Sequence, residues 1–118
     1  MSSSYRDLLV WQKSMELVKA IYQETLLFPR EEVYGLSSQM RRAAVSVPCN
    51  IAEGQGRMSK KEFKQFLAVS RGSVLELETQ VQIAADLGYL NVENAKTLFA
   101  KTEELLRMLT GLMKSLAP

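Results

Sequence analysis

Residues Leu36 to Arg57, LSSQMRRAAVSVPCNIAEGQGR, decide how this chain folds. Apolar or small side chains recur there every three or four residues, at Leu36, Met40, Ala43, Val47 and Ile51. That interval is the period of an α-helix with one apolar side, whereas a β-strand alternates every two residues. The stretch therefore predicts a helix.

A second row of the same helix is polar and contains Gln39, Arg42, Ser46, Asn50 and Glu53. One helix cannot turn both rows toward a small core, so the polar row faces solvent, a partner subunit or a polar layer between helices. We assign Gln39, Ser46, Asn50 and Glu53 to an interhelix polar layer.

Pro48 lies inside the predicted helix. It has no N–H to donate and it crowds the carbonyl of Ala44, which costs about 3 kcal/mol unless a kink and replacement hydrogen bonds relieve it. Ser46 and Asn50 are near enough in sequence to supply those bonds. We therefore favour a kinked bundle helix with a satisfied polar face over a polar surface that lines a groove or pore.

Glycines and a serine mark the end of this helix and the start of the next. Gly54 suits the left-handed position that follows a helix, and Gly56 lets the chain reverse. Ser59, followed three residues later by Glu62, is a capping-box pattern. These signals predict two antiparallel helices joined by a short turn.

Several motifs occur in a specific order: WQK at residues 11–13, the run from Tyr34 to Arg57, FKQFL at 63–67, SRGS at 70–73 and LGY at 87–89. In this combination the chain resembles the 23S rRNA intervening-sequence proteins, a bacterial family of four-helix bundles with no established enzymatic activity. The accessory variability proteins of diversity-generating retroelements are similar to that family and form basic pentameric barrels. The resemblance implies a helical homo-oligomer, a pentamer by analogy, with a role on RNA or DNA.

Helical periodicity in three further stretches completes an all-α, antiparallel up-down-up-down four-helix bundle. We predict the first helix from Tyr5 to Leu27, the third from Lys60 to Leu87, and the fourth from its cap Asn91 to Leu116. The predicted core seam of the first helix is Leu8, Trp11, Met15, Val18 and Tyr22, and a flanking row of Val10, Leu17 and Ile21 widens its apolar surface. Gly88 is expected to end the third helix, and the segment 70–73, with Gly72, to pack closely on Ala43 and Ala44.

Length and composition indicate a soluble, cytoplasmic, single-domain protein spanning residues 1–118. Hydrophobic content of 47% and charged content of 24% are ordinary for a globular chain. No apolar run approaches the roughly 18 residues of a membrane span. The first residues lack the layout of a signal peptide. We expect no contact with membranes.

The residue types that catalysis and metal binding need are scarce. The chain has no histidine and one cysteine, which excludes Ser-His and Cys-His pairs and an ordinary zinc shell. Cys49, beside Pro48, is predicted to be a packed, inert thiol. A catalytic role for Glu53 and Arg42 is supported only by their polarity. We predict a protein that is not an enzyme and has no metal or cofactor.

Positive charge is concentrated between residues 41 and 71, with seven basic and two acidic residues, and every charge from 72 to 95 is negative. The predicted nucleic-acid-binding residues are Arg41, Arg42, Arg57, Lys60, Lys61, Lys64 and Arg71. They centre on the corner between the second and third helices. Because no base-reading motif is present, phosphate contacts would dominate.

Two alternatives stay open. The three arginines Arg41, Arg42 and Arg71 would pair between helices with Glu53, Glu76 or Glu78, which leaves only a solvated lysine cluster. Surplus apolar rows on the first and fourth helices would instead hold a partner protein, which makes the chain a scaffold that binds no nucleic acid.

Overall fold

Four α-helices make up most of this computed structural model, which describes residues 4–116. They are α1 (Leu9–Thr25), α2 (Leu36–Gln55), α3 (Lys60–Asp86) and α4 (Val92–Ser115), with short 3-10 turns at Tyr5–Asp7 and Arg30–Glu32. Residues 4–116 contain no strand, so the predicted all-α fold is confirmed. No helix among them is long and apolar enough to cross a membrane.

Successive helices run antiparallel, as the hydrogen bonds between them show. Between α2 and α3, Ser46 pairs with Ser73 and Val47 with Ser70, so one residue number rises as the other falls. The bonds between α3 and α4 follow the same rule. Contacts of α1 with α4 close the bundle, which measures 46 × 22 × 20 Å.

The first helix is shorter than predicted, and it turns its flanking row toward the core more than the predicted seam. It begins at Leu9 because Leu8 is extended, with φ −74° and ψ 124°, and it ends at Thr25. Tyr22 of the predicted seam is 42% exposed. The buried row is instead Val10, Ser14, Leu17, Ile21 and Thr25.

Two members of this row, Ser14 and Thr25, carry hydroxyl groups and were not in the predicted flanking row. Ser14 Oγ donates to the carbonyl of Trp11, and Thr25 Oγ1 donates to that of Ile21, both at 2.7 Å. Each hydroxyl is satisfied within its own helix, so its burial costs little. Trp11 packs partly buried against the core, in agreement with its predicted role as an anchor.

Gly54 lies inside α2 and not after it. The helix continues to Gln55, and the capping residue Gly56 has φ −77°, so the predicted left-handed end is wrong. Gly54 is buried, and a Cβ there would lie 2.6 Å from the Cβ of Phe66. Glycine is required because α2 and α3 approach too closely at this point for any side chain.

The two glycines of the third helical segment behave differently. Gly72 faces open space within α3, so it does not form the predicted close contact. Ser70 of the same segment bonds α2 at a different residue, because its Oγ donates to the carbonyl of Val47 at 2.9 Å. Gly88 ends α3 as predicted, with φ +80°, and the N–H of Tyr89 folds back to bond the last turn.

Candidate nucleic-acid interface

The turn between α2 and α3 exposes three of the predicted cations. Ser59 accepts a hydrogen bond from the N–H of Glu62 at 3.1 Å, which caps α3 as predicted and fixes its direction. Lys60 and Lys61 are the first residues of α3 and are exposed, as is Arg57 just before the cap. The free N–H groups at the start of α3 add partial positive charge. This corner therefore favours anions.

Arg57 is oriented by two neighbours. Its Nη2 lies 3.2 Å from Glu53 Oε1, and its guanidinium carbon lies 4.8 Å from the centre of the Phe66 ring. The ion pair is exposed to solvent and contributes at most about 1 kcal/mol. Glu53 offsets part of the charge of Arg57, and Glu62, a second carboxylate of the corner, accepts a hydrogen bond from the hydroxyl of Ser59 at 3.3 Å.

A groove between α3 and α4 extends the positive charge away from the corner. Lys64 and Arg71 of α3 line it with Lys114 of α4, beside Thr110, around a volume of about 370 Å³. Arg107 lines the adjoining part. No carboxylate lines either part. Four cations therefore share one groove without an acidic neighbour in its walls.

One contact holds an arginine across this groove, because Arg71 Nε donates to Thr110 Oγ1 at 3.1 Å. Sequence reasoning missed Arg107 and Lys114, which lie far beyond the basic region. Their spacing was the available signal, since Lys64 and Arg71, like Arg107 and Lys114, are seven residues apart. Residues at that spacing share one side of a helix, and α3 and α4 are antiparallel neighbours.

Arg41 and Arg42 lie outside this surface. Arg41 Nε donates to Thr25 Oγ1 at 2.8 Å, and its guanidinium carbon lies 4.8 Å from the centre of the Tyr22 ring on α1. Fifteen residues separate Arg42 from Arg57, which is about 22 Å along a helix. The seven predicted cations therefore divide into two groups, because α2 leads away from the corner and turns these two arginines toward other faces.

The alternative of interhelix pairing with carboxylates is wrong for the three arginines concerned, Arg41, Arg42 and Arg71. Across residues 4–116 the ion pairs join Lys13 to Glu104 and Arg57 to Glu53. Two of the three arginines are bound to threonines instead. Arg42 lines one groove with Glu76 without forming an ion pair with it.

In the predicted polar layer, the contact between helices is formed by Ser46, near the middle of the row. Ser46 Oγ lies 2.9 Å from Ser73 Oγ of α3, and Asn50 Nδ2 donates to the carbonyl of Ser46 at 2.8 Å. The carbonyl that Pro48 leaves without its helical donor is that of Ala44, so these bonds to Ser46 and Ser73 are not the predicted replacement. Gln39 and Glu53, at the ends of the row, are exposed. A shallow polar groove of about 350 Å³ opens beside the centre, so the helix has both a satisfied polar face and a groove.

The match to a known family covers most of the chain, since residues 6–111 fit the sequence profile of the 23S rRNA-intervening sequence proteins. The chain belongs to this family. A crystal structure of a protein of unknown function from the S23 ribosomal protein family of Bacteroides thetaiotaomicron is similar to this family member, with a TM-score of 0.81 and 21% identity. The likeness covers 90% of this chain and 99% of that one, and it supports the fold alone. No curated protein matches the chain significantly.

Neither the name of the family nor the description of the similar crystal structure includes a reaction. In this 23S rRNA-intervening sequence protein, the described part of the chain brings together no three histidine, cysteine or acidic side chains that would hold a metal. Cys49 is exposed, so its predicted packing is wrong. The reason is geometric, because Pro48 faces the core and each residue turns the helix by about 100°.

Proposed function

We propose that this protein binds the phosphate backbone of nucleic acid and catalyses no reaction. The binding residues form what we call the cationic surface, made up of Arg57, Lys60, Lys61, Lys64, Arg71, Arg107 and Lys114. The observation that carries the proposal is the α3–α4 groove, whose four cations have no carboxylate beside them. Because the family description names 23S rRNA, RNA is the first ligand to test.

The lysines and arginines of the cationic surface are suited to contact with phosphate groups. Lysine and arginine that neutralise phosphates release counterions, so affinity falls steeply with salt. Four to seven such contacts correspond to a slope of about −4 to −6 in log K against log salt on duplex DNA. Arg71, held by Thr110, presents a planar fork that fits a phosphate. No aromatic ring lines the groove, so binding should depend little on base sequence.

The test is fluorescence anisotropy of labelled structured RNA and of duplex DNA, titrated at low and near-physiological salt. The double variant Arg107→Glu with Lys114→Glu should bind at least tenfold more weakly. The matched control, Lys19→Glu with Lys96→Glu, removes the same charge from exposed lysines outside the cationic surface. Absence of binding at low salt would overturn the proposal. An equal loss of affinity in both double variants would show that the α3–α4 groove is not part of the binding surface.

A second candidate function is a protein-binding scaffold. Leu26 and Val33 are 73% and 49% exposed, which favours a protein partner for α1 and the loop after it. The triple variant of Lys60, Lys61 and Lys64 to Glu separates the two functions. It should abolish nucleic-acid binding and leave association with proteins intact.

A further inference from the structure

The two connections at the end of the bundle opposite the cationic corner expose apolar side chains. Residues 26–35 join α1 to α2, and residues 87–91 join α3 to α4. Phe28 and Leu90 of these connections are buried and belong to the core. Six other large apolar side chains at this end are between 49% and 95% exposed: Leu26, Leu27, Val33, Tyr34, Leu87 and Val92. We call these six residues the apolar tip.

The two connections touch each other, so both contribute to one end surface. The ring centres of Phe28 and Tyr89 lie 5.4 Å apart, and Asn94 Nδ2 donates to Glu24 Oε1 at 3.2 Å. Single exposed apolar side chains are ordinary on a protein surface, whereas a group of them at one place marks an interaction site. The apolar tip is therefore a candidate docking surface.

Carboxylates are abundant around the apolar tip. In residues 24–35 and 86–93, Arg30 is the single cation, against five acidic residues: Glu24, Glu31, Glu32, Asp86 and Glu93. None of the five forms an ion pair with a cation of residues 4–116. Such a surface repels nucleic acid and anionic lipid, and it attracts a cationic segment of a protein.

Positive charge at this end of the bundle lies on the α1–α2 side. Arg30 and Arg41 line a pocket of about 380 Å³ at the α1–α2 connection. At the α3–α4 connection the exposed charges are Asp86 and Glu93, and every charge from residue 72 to 95 is negative. The cations of a partner should therefore meet the α3–α4 side of the tip.

We propose that the apolar tip docks a cationic amphipathic segment of another protein. The apolar face of that segment covers the tip, and its lysines or arginines pair with Asp86 and Glu93. The proposal rests on the second candidate function and deepens it, because it names the surface and the chemistry of the partner. It is independent of nucleic-acid binding, since the cationic surface contains none of these residues.

Fluorescence anisotropy with a labelled synthetic peptide tests the proposal. The peptide is a helix of leucine and lysine with one apolar face. One reference peptide replaces its lysines with glutamate, and a second has the same composition in scrambled order. The wild-type protein should bind the leucine–lysine peptide about tenfold or more tightly than either reference peptide.

Two double variants locate the binding on the tip. Leu27→Ser with Val92→Ser removes one exposed apolar side chain from each side of the tip. Asp86→Asn with Glu93→Gln removes the negative charge beside the α3–α4 connection. Each double variant should weaken binding of the leucine–lysine peptide about tenfold, because each removes one of the two attractions that hold it.

Matched control variants make the same changes elsewhere on the bundle. Leu9→Ser with Val69→Ser removes two apolar side chains that are 59% and 53% exposed and lie outside the tip. Glu16→Gln with Glu103→Gln removes two exposed carboxylates of α1 and α4. Both controls should bind the peptide like wild type. Circular dichroism establishes that every variant keeps its helices, and Tyr34→Ser replaces the first tip variant if that chain unfolds.

Three further measurements distinguish other roles of the tip. Labelled RNA should bind the tip variants and wild type equally, so a failure of nucleic-acid binding would be visible separately from a failure of peptide binding. Sedimentation should give Leu27→Ser with Val92→Ser the molar mass of wild type. Vesicles of phosphatidylcholine, with or without phosphatidylglycerol, should not bind the wild-type protein.

Four outcomes overturn the proposal. The first is wild-type protein that does not bind the leucine–lysine peptide, and the second is equal binding of all three peptides. The third is equal affinity of the tip variants and their controls, which would keep the scaffold function and place it on another surface. The fourth is a lower molar mass of the serine variant, or vesicle binding that this variant loses, which would assign the tip to contacts between copies or to a membrane.

Discussion

Tyr89 and Glu32 join the two turns at the end of the bundle opposite the cationic corner. Tyr89 Oη donates to Glu32 Oε2 at 2.9 Å, and Glu32 Oε1 accepts from the N–H of Leu36 at 3.1 Å. The residue before α2 is Gly35, which has no side chain to cap the helix. One carboxylate therefore caps α2 and fastens the turn after α3 to it.

This contact should make stability fall at high pH. The hydrogen bond to Glu32, then partial burial and the charges of Glu32 and Glu31, raise the pKa of Tyr89 above its ordinary 10.0. The unfolded chain ionises first, so the contribution is complete below the unfolded pKa and is lost as pH rises through the folded one. The free energy of unfolding in urea, measured from neutral pH to about pH 11, should fall less in Tyr89→Phe than in wild type. Equal falls would show that the contact of Tyr89 with Glu32 does not cause the loss of stability.

Gly54→Ala and Gly72→Ala should change stability in opposite directions. The added methyl group at residue 54 meets the Cβ of Phe66, which cannot move without its backbone, and the cost should be about 1–3 kcal/mol. At residue 72 it meets open space and lowers the entropy of the unfolded chain, a gain of about 0.5–1 kcal/mol. Urea unfolding at low protein concentration measures both. A neutral Gly54→Ala would mean that α2 and α3 separate easily at the corner.

Removal of the cap at the corner should destabilise the bundle. Ser59→Ala deletes the acceptor for the N–H of Glu62 and should cost about 1 kcal/mol. Ser59→Asp supplies a new acceptor and should restore the thermal midpoint. If the aspartate variant is as unstable as the alanine variant, the loss does not come from capping.

Arg42 and Arg107 provide a test of where nucleic acid binds. Both substitutions to glutamate change the net charge equally, yet only Arg107 belongs to the cationic surface. Arg107→Glu should weaken binding to labelled RNA severalfold more than Arg42→Glu. A larger effect of Arg42→Glu would indicate that nucleic acid binds the basic region of residues 41–71 and not the cationic surface.

The helices were predictable because a period of three to four residues is a local property. The third helix, predicted from Lys60 to Leu87, is observed as Lys60–Asp86. The core row of α1 was predicted only in part, since Val10, Leu17 and Ile21 were recognised as a flanking row and Ser14 and Thr25 were not. Ser14 and Thr25 look like surface residues in a sequence, and only their hydrogen bonds to carbonyls of their own helix make them buried.

The candidate site was predictable only where it is contiguous in the chain. Lys60 and Lys61 were found because they follow the turn directly. The contributions of Arg107 and Lys114 depend on how α4 pairs with α3, and the role of Gly54 depends on a phenyl ring of the next helix. Such relations between elements leave little trace in one sequence.

The close approach at Gly54 also bears on how the chain reaches its fold. The α2–α3 interface is the most extensive in the bundle, and residues 56–59 are all that connect the two helices. Closure of so short a loop loses little entropy, so this hairpin should form before the distant α1–α4 contacts. Lys13 and Glu104 lie 3.7 Å apart on α1 and α4, and we expect this pair to form after the transition state. Loss of the ion pair between Lys13 and Glu104 would then speed unfolding and leave the folding rate unchanged. A side chain added at Gly54 would instead slow folding.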